Sequence, residues 1–375
     1  MVQTLGVGIL GCGNISAAYL RLAPLFKGIE IRAVADINPE AASARAAEFG
    51  VRAETVEGLM AADDVDIIVN LTIPNAHFDT SMAALNADKH VYSEKPFVLS
   101  LEEGSKIAAL SAEKGLRVGS APDTFLGGVH QHARHLIDSG TVGEITSGTA
   151  HVMSHGLEHW HPNPDFFFQP GAGPVLDIGP YYITNLIQLI GPIARVSAVT
   201  RTPRTKRLIS SQPRAGEYVE VTTPTTIHAL LEFQSGAVVT LGTSWDVFSN
   251  RHGNMELYGS EGTMYVPDPN FFGGDLEITA QTEPVELSGG WDHPFSVIND
   301  TDENRANYRA AGLADMAIAI QEGRPHRCNQ EVALHAVDVM TSILRAGETG
   351  QAQDISTSCE RPEALSPDAA RALMA

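Results

Sequence analysis

Short apolar runs alternate with amphipathic stretches along the first 123 residues of the chain. The apolar runs predict strands at residues 5–10, 31–35, 66–73, 91–93 and 117–120. The stretches between them have the apolar spacing of helices, which we predict at residues 15–26, 39–49, 78–87 and 101–113. Strands that alternate with helices of this length are typical of a parallel sheet with right-handed crossovers. Residues 1–123 are therefore predicted to form an α/β domain.

The pattern changes after residue 123, where strand-like stretches are no longer separated by helices. Polar and apolar positions alternate in much of residues 196–266, which indicates a largely antiparallel sheet. Helices are predicted around this region, at residues 129–137, 181–190, 304–321 and 332–345. We expect residues 124–350 to form a second, α+β domain, and the polar, proline-broken residues 351–375 to form a surface tail.

Composition narrows the class of protein. A chain of 375 residues exceeds what one core usually serves, and a net charge of −20 argues against nucleic-acid or anionic-membrane partners. The three cysteines, Cys12, Cys328 and Cys359, have no metal-ligand or redox spacing, which fits a reducing compartment. With neither a signal-peptide pattern nor a long apolar segment, we expect a cytoplasmic protein.

A glycine-rich turn near the N-terminus indicates dinucleotide binding. Gly6-x-Gly8-x-x-Gly11 spells the usual fingerprint, but it lies inside the first predicted strand. The chemistry needs glycines between strand and helix, where backbone approaches pyrophosphate at the helix N-terminus. We therefore choose the register Gly11-Cys12-Gly13-Asn14-Ile15-Ser16, in which serine, also small, takes the third position.

Asp36 ends the second predicted strand, about 20 residues beyond the glycines, where a carboxylate hydrogen-bonds the adenosine ribose. A carboxylate there repels a 2′-phosphate, so we expect NAD as the cofactor rather than NADP. Alternatively, Asp36 only caps the helix that begins at Pro39, and the glycines form an ordinary turn.

Lys95, within Glu94-Lys95-Pro96, follows the predicted strand at residues 91–93. Open α/β sheets bind ligands at the carboxyl ends of their strands, so Lys95 is expected to face the nicotinamide. A partly desolvated lysine beside a positive nicotinamide loses its proton more easily, and it then accepts a hydroxyl proton while hydride leaves the same carbon. Alternatively, Lys95 is a solvated surface lysine.

The glycine turn, Asp36, the stretch 73–77 and Glu94-Lys95-Pro96, in this order, resemble the Gfo/Idh/MocA oxidoreductases over roughly residues 5–345. The resemblance implies a Rossmann domain, a C-terminal domain with an open-faced sheet, a nicotinamide cofactor in the cleft, and a sugar or cyclic polyol substrate. It also implies that Lys95 is the catalytic lysine. The expected cofactor contacts are Gly11, Gly13, Asn14, Ile15, Asp36, Thr72, Pro74, Asn75, His77, Glu94 and Lys95.

A second family motif places Asp four residues before His, and here it reads Asp177-Ile178-Gly179-Pro180-Tyr181. Residues four apart share a helix face, so both side chains are expected to face the substrate. Tyr181 would donate or accept the proton with its pKa lowered by Lys95, or it simply packs in the core. We assign proton transfer to Lys95 first, with Asp177 and Tyr181 as partners.

Other polar clusters are weaker candidates. His155, His159 and His161 flank Trp160 beside Glu158, in a spacing that matches no zinc motif, so we expect no metal and either a carbohydrate contact or a packed loop. The basic stretch Arg201, Arg204, Lys206, Arg207 and Arg214 is interpreted as a solvated loop or subunit contact. The expected substrate contacts are Lys95, Asp123, His159, Trp160, Asp177 and Tyr181.

These residues favour an NAD-dependent dehydrogenase acting on a secondary hydroxyl of a pyranose, glycoside or cyclic polyol. Two alternatives share the same motifs: a redox-neutral glycosidase that retains NAD, and a non-catalytic NAD-sensing regulator. An open, apolar sheet face favours association, so we expect a homodimer or homotetramer.

Overall fold

A computed structural model describes residues 3–281, 283–300 and 303–375. Its N-terminal sheet has six strands: β1 (Leu5–Leu10), β2 (Ile29–Ala35), β3 (Arg52–Glu54), β4 (Ile67–Asn70), β5 (His90–Ser93) and β6 (Val118–Ser120). All are parallel, in the order β3-β2-β1-β4-β5-β6. The connecting helices are α1 (Asn14–Leu22), α2 (Pro39–Phe49), α3 (Val56–Ala61), α4 (His77–Asn86) and α5 (Leu101–Lys114). The order reverses between β1 and β4, which creates the cleft where Rossmann domains bind dinucleotides.

The predicted strands and helices of this domain are confirmed, with shifted ends. The predicted first helix stops at Leu22, because Pro24 begins a separate 3₁₀ turn. Two elements, β3 and α3, were not predicted; they are short, and β3 has no buried residue. Gly6 and Gly8 lie inside β1, and Gly11 and Gly13 lie in the turn between β1 and α1, where the chosen register places them.

The second half of the chain contains two further sheets. Its strands are β7 (Ile145–Met153), β8 (Ile193–Arg201), β9 (Lys206–Leu208), β10 (Tyr218–Glu220), β11 (Thr226–Phe233), β12 (Val238–Ser244), β13 (Met255–Gly259), β14 (Gly262–Val266), β15 (Glu277–Ala280), β16 (Glu286–Leu287) and β17 (Gln353–Asp354). β9 and β10 form a small pair, and the other nine strands follow the order β16-β15-β14-β13-β7-β12-β11-β8-β17. Only the β7–β12 pairing in this sheet is parallel among the described residues.

Alternation along β11 explains why this sheet has one covered and one open face. Ile227, Leu231 and Phe233 are buried, whereas His228 and Leu230 are exposed. The helices of this half are α6 (Gly128–Asp138), α7 (Pro174–Asp177), α8 (Gly179–Ile190), α9 (Ala311–Glu322), α10 (Gln330–Thr349) and α11 (Pro367–Leu373). Of these, α8 and α10 pack on the covered face of the sheet. Short 3₁₀ turns lie at Ala23–Leu25, Pro74–Ala76, Thr124–Leu126, Asp165–Phe168 and Pro294–Ser296. The prediction of an open-faced, largely antiparallel sheet is confirmed.

Two predictions near the C-terminus are wrong. The helix predicted from residue 304 begins only at Ala311. The expected surface tail is instead packed: β17 pairs with β8, and the Lys27 backbone N–H donates to the carbonyl of Leu373 at 2.8 Å. α9 and α11 both pack into the apolar core of the N-terminal domain, because small and apolar residues such as Ala370 face it between polar ones. The boundary near residue 123 stays a prediction.

No helix in the described ranges has the length and apolar character needed to cross a membrane.

Candidate active site

A cavity of about 690 Å³ lies where the carboxyl ends of β1, β4 and β5 face the second half of the chain. The predicted site residues that line it are Asn14, Ile15, Thr72, Pro74, Glu94, Lys95, Trp160, Asp177 and Tyr181. A larger cavity, of about 830 Å³, lies between α5 and the start of α10, and it contains none of the predicted site residues. We therefore place the candidate site in the smaller cavity.

The glycine turn is shaped to receive a phosphate group. Gly11 has φ +105°, and a Cβ there would lie 2.5 Å from the carbonyl oxygen of Leu71, so only glycine fits. Gly13 precedes α1 without a side-chain cap, and the space where its Cβ would stand is open. Buried Ser16 donates to the Gly13 carbonyl at 2.6 Å, so serine substitutes for the third glycine without loosening the turn. Backbone N–H groups at an uncapped helix start fit a pyrophosphate.

Asp36 braces this turn from the end of β2. Its Oδ2 accepts from the Cys12 backbone N–H at 2.7 Å, and its Oδ1 accepts from the Asn38 N–H at 2.8 Å. The cap of α2 is Asn38, whose side chain accepts from Glu40 N–H. The alternative in which Asp36 caps α2 is therefore wrong, and its carboxylate stands beside the turn that would hold the cofactor.

His77 and Asn75 do not line the cavity. The buried His77 ring lies between two carbonyl oxygens, with Nδ1 2.7 Å from that of Pro96 and Nε2 3.0 Å from that of Thr72. Burial lowers the pKa of His77. His77 thus holds together the two loops that follow β4 and β5, while Asn75 is exposed.

Lys95, the candidate for the reactive end of the cavity, lines it beside Asp177 and Tyr181. Its Nζ donates to Asp177 Oδ1 and to the Asp177 carbonyl oxygen, both at 2.8 Å, and lies 5.3 Å from the ring centre of Tyr181. Only 17% of the Lys95 side chain is exposed, so the surface-lysine alternative is wrong. Burial disfavours its charge, but the Asp177, Tyr181 and Glu94 oxygens outweigh burial and raise the pKa of Lys95 above its usual value. The expectation of an easily lost proton does not hold for the chain without cofactor.

Asp177 and Tyr181 meet Lys95 by a different local structure from the predicted helix face. Asp177 is the last residue of α7, and Tyr181 lies in the first turn of α8, after a break at Ile178. Tyr181 is also 95% buried, so it both packs in the core and lines the cavity.

Arg309, which the sequence analysis did not identify, completes the charged lining. Its Nη1 donates to Glu94 Oε1 at 3.3 Å, and Glu94 Oε2 accepts from the Lys95 backbone N–H at 3.0 Å. Burial disfavours the Arg309 charge, but Tyr181 and Glu94 outweigh burial and raise its pKa. Arg305, within the stretch wrongly predicted as helix, also lines the cavity, as does Glu303 just before that stretch.

Asp123 is fully buried outside the cavity lining, which does not fit the predicted substrate contact. Its Oδ2 accepts from the backbone N–H groups of Ala310 and Gly312 at 3.0 and 3.2 Å. Burial raises the pKa of Asp123 to about 6. Asp123 fixes the start of α9 and the residue next to Arg309.

The histidine-rich loop contributes different residues from those predicted. Trp160 lines the cavity, together with His161, Phe166 and Phe167, whereas His159 is exposed outside it and stacks on His155 at 4.0 Å. The aromatic residues that follow Trp160 in the sequence are the signal that could have identified Phe166 and Phe167. Within the described ranges, no group of three or more His, Cys, Asp or Glu residues is placed to hold a metal ion.

Arg207 corrects the interpretation of the basic stretch as a solvated loop. It is 97% buried, and its Nε donates to Glu158 Oε1 at 2.7 Å, while Nη1 donates to Asp246 Oδ1 at 2.8 Å. Nη2 donates to the carbonyl oxygens of His155 and Trp245. Arg207 therefore anchors the loop that presents Trp160.

Comparison with known proteins assigns both halves of the chain to one family of oxidoreductases. The family model described as "Oxidoreductase family, NAD-binding Rossmann fold" matches residues 5–121. The model described as "GFO/IDH/MocA C-terminal domain" matches residues 130–265, and together the two models match well over half of the chain.

Similar curated proteins include sugar dehydrogenases. D-xylose 1-dehydrogenase (NADP(+)) 2 of Haloferax volcanii is 24% identical over 93% of this chain and 99% of its own length. Levoglucosan dehydrogenase of Pseudarthrobacter phenanthrenivorans is 27% identical over 70% and 73% of the two chains. A solved levoglucosan dehydrogenase in complex with NADH and L-sorbose has the same fold, with TM-score 0.79 and 21% identity over 95% of this chain and all of the other. The chain therefore belongs to the Gfo/Idh/MocA family of NAD-binding oxidoreductases.

Proposed function

We propose that this protein is an NAD-dependent dehydrogenase that transfers a hydride between nicotinamide and a secondary hydroxyl carbon of a pyranose, glycoside or cyclic polyol. One observation carries the proposal: a single cavity joins the uncapped start of α1 to the Lys95–Asp177–Tyr181 cluster. The names of the xylose, levoglucosan and inositol dehydrogenases among the relatives support the substrate class.

The preference for NAD over NADP follows from Asp36. Its two oxygens already accept from two backbone N–H groups, and each oxygen has a second lone pair for a ribose hydroxyl. A 2′-phosphate at this position would meet a carboxylate, which repels it. Because the Haloferax relative is named for NADP, the preference needs direct measurement.

Lys95 moves the proton at the substrate oxygen. When bound, the cofactor supplies the hydride acceptor for oxidation and the hydride donor for reduction. In oxidation, the Lys95 ammonium first loses a proton to solvent, and its neutral amine then accepts the substrate hydroxyl proton. In reduction, the Lys95 ammonium, which the raised pKa favours, donates a proton to the carbonyl oxygen.

Tyr181 is the second candidate for proton transfer, because its ring borders the Lys95 ammonium. We assign it a positioning role beside Lys95. A Tyr181→Phe variant keeps the ring and removes only the hydroxyl, so a small loss of rate supports positioning, and a loss as large as that of Lys95 supports proton transfer.

The test is cofactor reduction by the purified protein, with NAD and NADP offered separately to a panel of pyranoses, glycosides and inositols. Lys95→Met should lower kcat by about 10²–10⁴-fold while NAD binding persists. Lys106→Met is the matched control, because Lys106 pairs with Glu102 on the exposed face of α5. Full activity of Lys95→Met would remove Lys95 from the mechanism. Sugar release without net NADH would favour the redox-neutral glycosidase, and silence with intact NAD binding would favour the regulator.

We also infer that the open sheet face is buried between subunits of a homodimer or homotetramer. Val199, Leu230 and Val238 lie on this face with 60%, 47% and 40% of their surfaces exposed. Apolar groups grouped on one face favour association. Light scattering at micromolar concentration should give at least a dimer, and Leu230→Glu should shift it toward monomer; a monomeric wild type would contradict the inference.

A further inference from the structure

Four aromatic side chains form one wall of the cavity, which we call the aromatic wall: Trp160, His161, Phe166 and Phe167. Trp160 is 58% exposed and Phe166 is 45% exposed, although both face the cavity. Large apolar side chains held in water along a groove are typical of ligand-binding surfaces. The two exposed rings therefore offer an apolar surface that a ligand in the cavity can cover.

The aromatic wall is fixed in place rather than carried on a loose loop. Three side chains from β9 and the β9–β10 connection anchor it. They are Arg207, which donates to Glu158 at 2.7 Å; Ser211, whose Oγ donates to the His161 carbonyl at 2.5 Å; and Arg214, which pairs with Asp165. A preorganised wall binds its ligand without the entropic cost of ordering the loop.

His161 connects the wall to the reactive end of the cavity. Its Nδ1 accepts from the Asn163 backbone N–H at 3.1 Å, so the proton of the neutral ring is on Nε2, a donor for a hydroxyl. Burial lowers the pKa of His161, and Asp177 is among the charges that act on it. His161 and Asp177 line the same cavity as the partly exposed rings of Trp160 and Phe166.

We propose that the substrate is a disaccharide whose non-reacting pyranose ring stacks on Trp160 and Phe166 while the reacting ring meets Lys95; this rests on the proposed function. A pyranose has an apolar C–H face, which suits an indole or phenyl face, and a rim of hydroxyls, which suits His161. A single sugar ring beside Lys95 leaves the exposed rings in water. A second ring covers them.

The experiment compares a disaccharide with the methyl glycoside of its reacting ring, by kcat/KM for NAD reduction. Burial of most of a Trp side chain predicts at least about a tenfold preference for the disaccharide. Trp160→Ala should lower kcat/KM by about tenfold or more for the disaccharide and by about threefold or less for the methyl glycoside. Trp160→Phe should restore most of the loss. Phe248→Ala is the control, because Phe248 is 75% exposed and stacks on His155, in the loop that carries Trp160, but lies outside the cavity lining.

Calorimetric titration of the disaccharide in the presence of NADH, which permits no oxidation, separates the two proposals. If neither sugar is oxidised but the disaccharide binds in a Trp160-dependent way, the proposed dehydrogenase function is wrong, whereas binding of the second ring to the aromatic wall is supported. Binding of the second ring to the aromatic wall would be refuted by either of two results. One is an equal loss of kcat/KM for both substrates in Trp160→Ala; the other is disaccharide binding that Trp160→Ala leaves unchanged.

Discussion

Replacing Arg207 with alanine should destabilise the C-terminal half of the protein far more than loss of an ordinary surface charge. Four hydrogen bonds leave its guanidinium, and its side chain is 1% exposed. The change removes the Arg207 partner of Glu158, whose side chain is only 10% exposed. The Oε2 atom of Glu158 already has no hydrogen-bond partner among the described residues. Asp246 keeps the hydroxyl groups of Thr225 and Thr226 as donors.

The magnitude follows from breaking a buried pair from one side. Loss of one partner of a buried ion pair costs about 3–5 kcal/mol, because the other charge stays buried and unpaired. Since Asp246 retains two donors and Glu158 does not, we expect a value near 3 kcal/mol, the lower end of that range. The same change should raise the KM for sugar, because Glu158 lies two residues before Trp160.

Urea unfolding followed by tryptophan fluorescence measures this loss, because Trp245 is buried in the same apolar cluster as Phe168 and Ile209. Arg214→Ala is the matched control: Arg214 lies in the same region and pairs with Asp165 and Glu217, but its side chain is 26% exposed, so its loss should cost much less stability than the loss of Arg207. If Arg207→Ala and Arg214→Ala unfold at the same urea concentration, the buried network does not anchor the loop.

Three further predictions concern charge and the cofactor turn. Asp177→Asn removes the negative partner that raises the pKa of Lys95, so the rise of oxidation rate with pH should move to lower pH by about one unit or more; an unmoved pH profile would exclude this coupling. Burial raises the pKa of Asp123 to about 6, so its contribution to stability is full below its unfolded pKa and is lost as pH rises through 6. The unfolding free energy of the wild type should therefore fall relative to that of Asp123→Asn between about pH 4 and 7. Parallel curves of unfolding free energy against pH would contradict this. Gly13→Val should weaken NAD binding by about tenfold or more with little loss of stability, whereas Gly11→Ala should also lower the melting temperature; equal stability of the two would contradict the geometry of the turn.

The sequence predicted the parts of this protein whose determinants are close together in the chain. The buried strands, the turn at Gly11 and the lysine after β5 each have a local pattern, and strand order then brings them to one cleft. β3 and α3 lack such a pattern because they are short and largely solvent-facing.

The missed site residues depend on distant partners. Arg309 meets Glu94 across 215 residues of chain, and its own neighbours gave no sign of burial. Arg207 lies among other basic residues, so its context indicated solvent until the fold brought Glu158 and Asp246 to it. Asp123 shows the reverse error: it was predicted to contact the substrate, but its carboxylate is buried and holds the start of α9.

The packing of α9 and α11 into the N-terminal core has a consequence for synthesis on the ribosome. The sheet of the N-terminal domain leaves the ribosome before residues that complete its core, such as Leu313 and Leu373, have been synthesised. Until then its sheet and helices expose an apolar surface that the finished protein covers. The first 123 residues therefore lack part of their apolar core until α9 and α11 have left the ribosome.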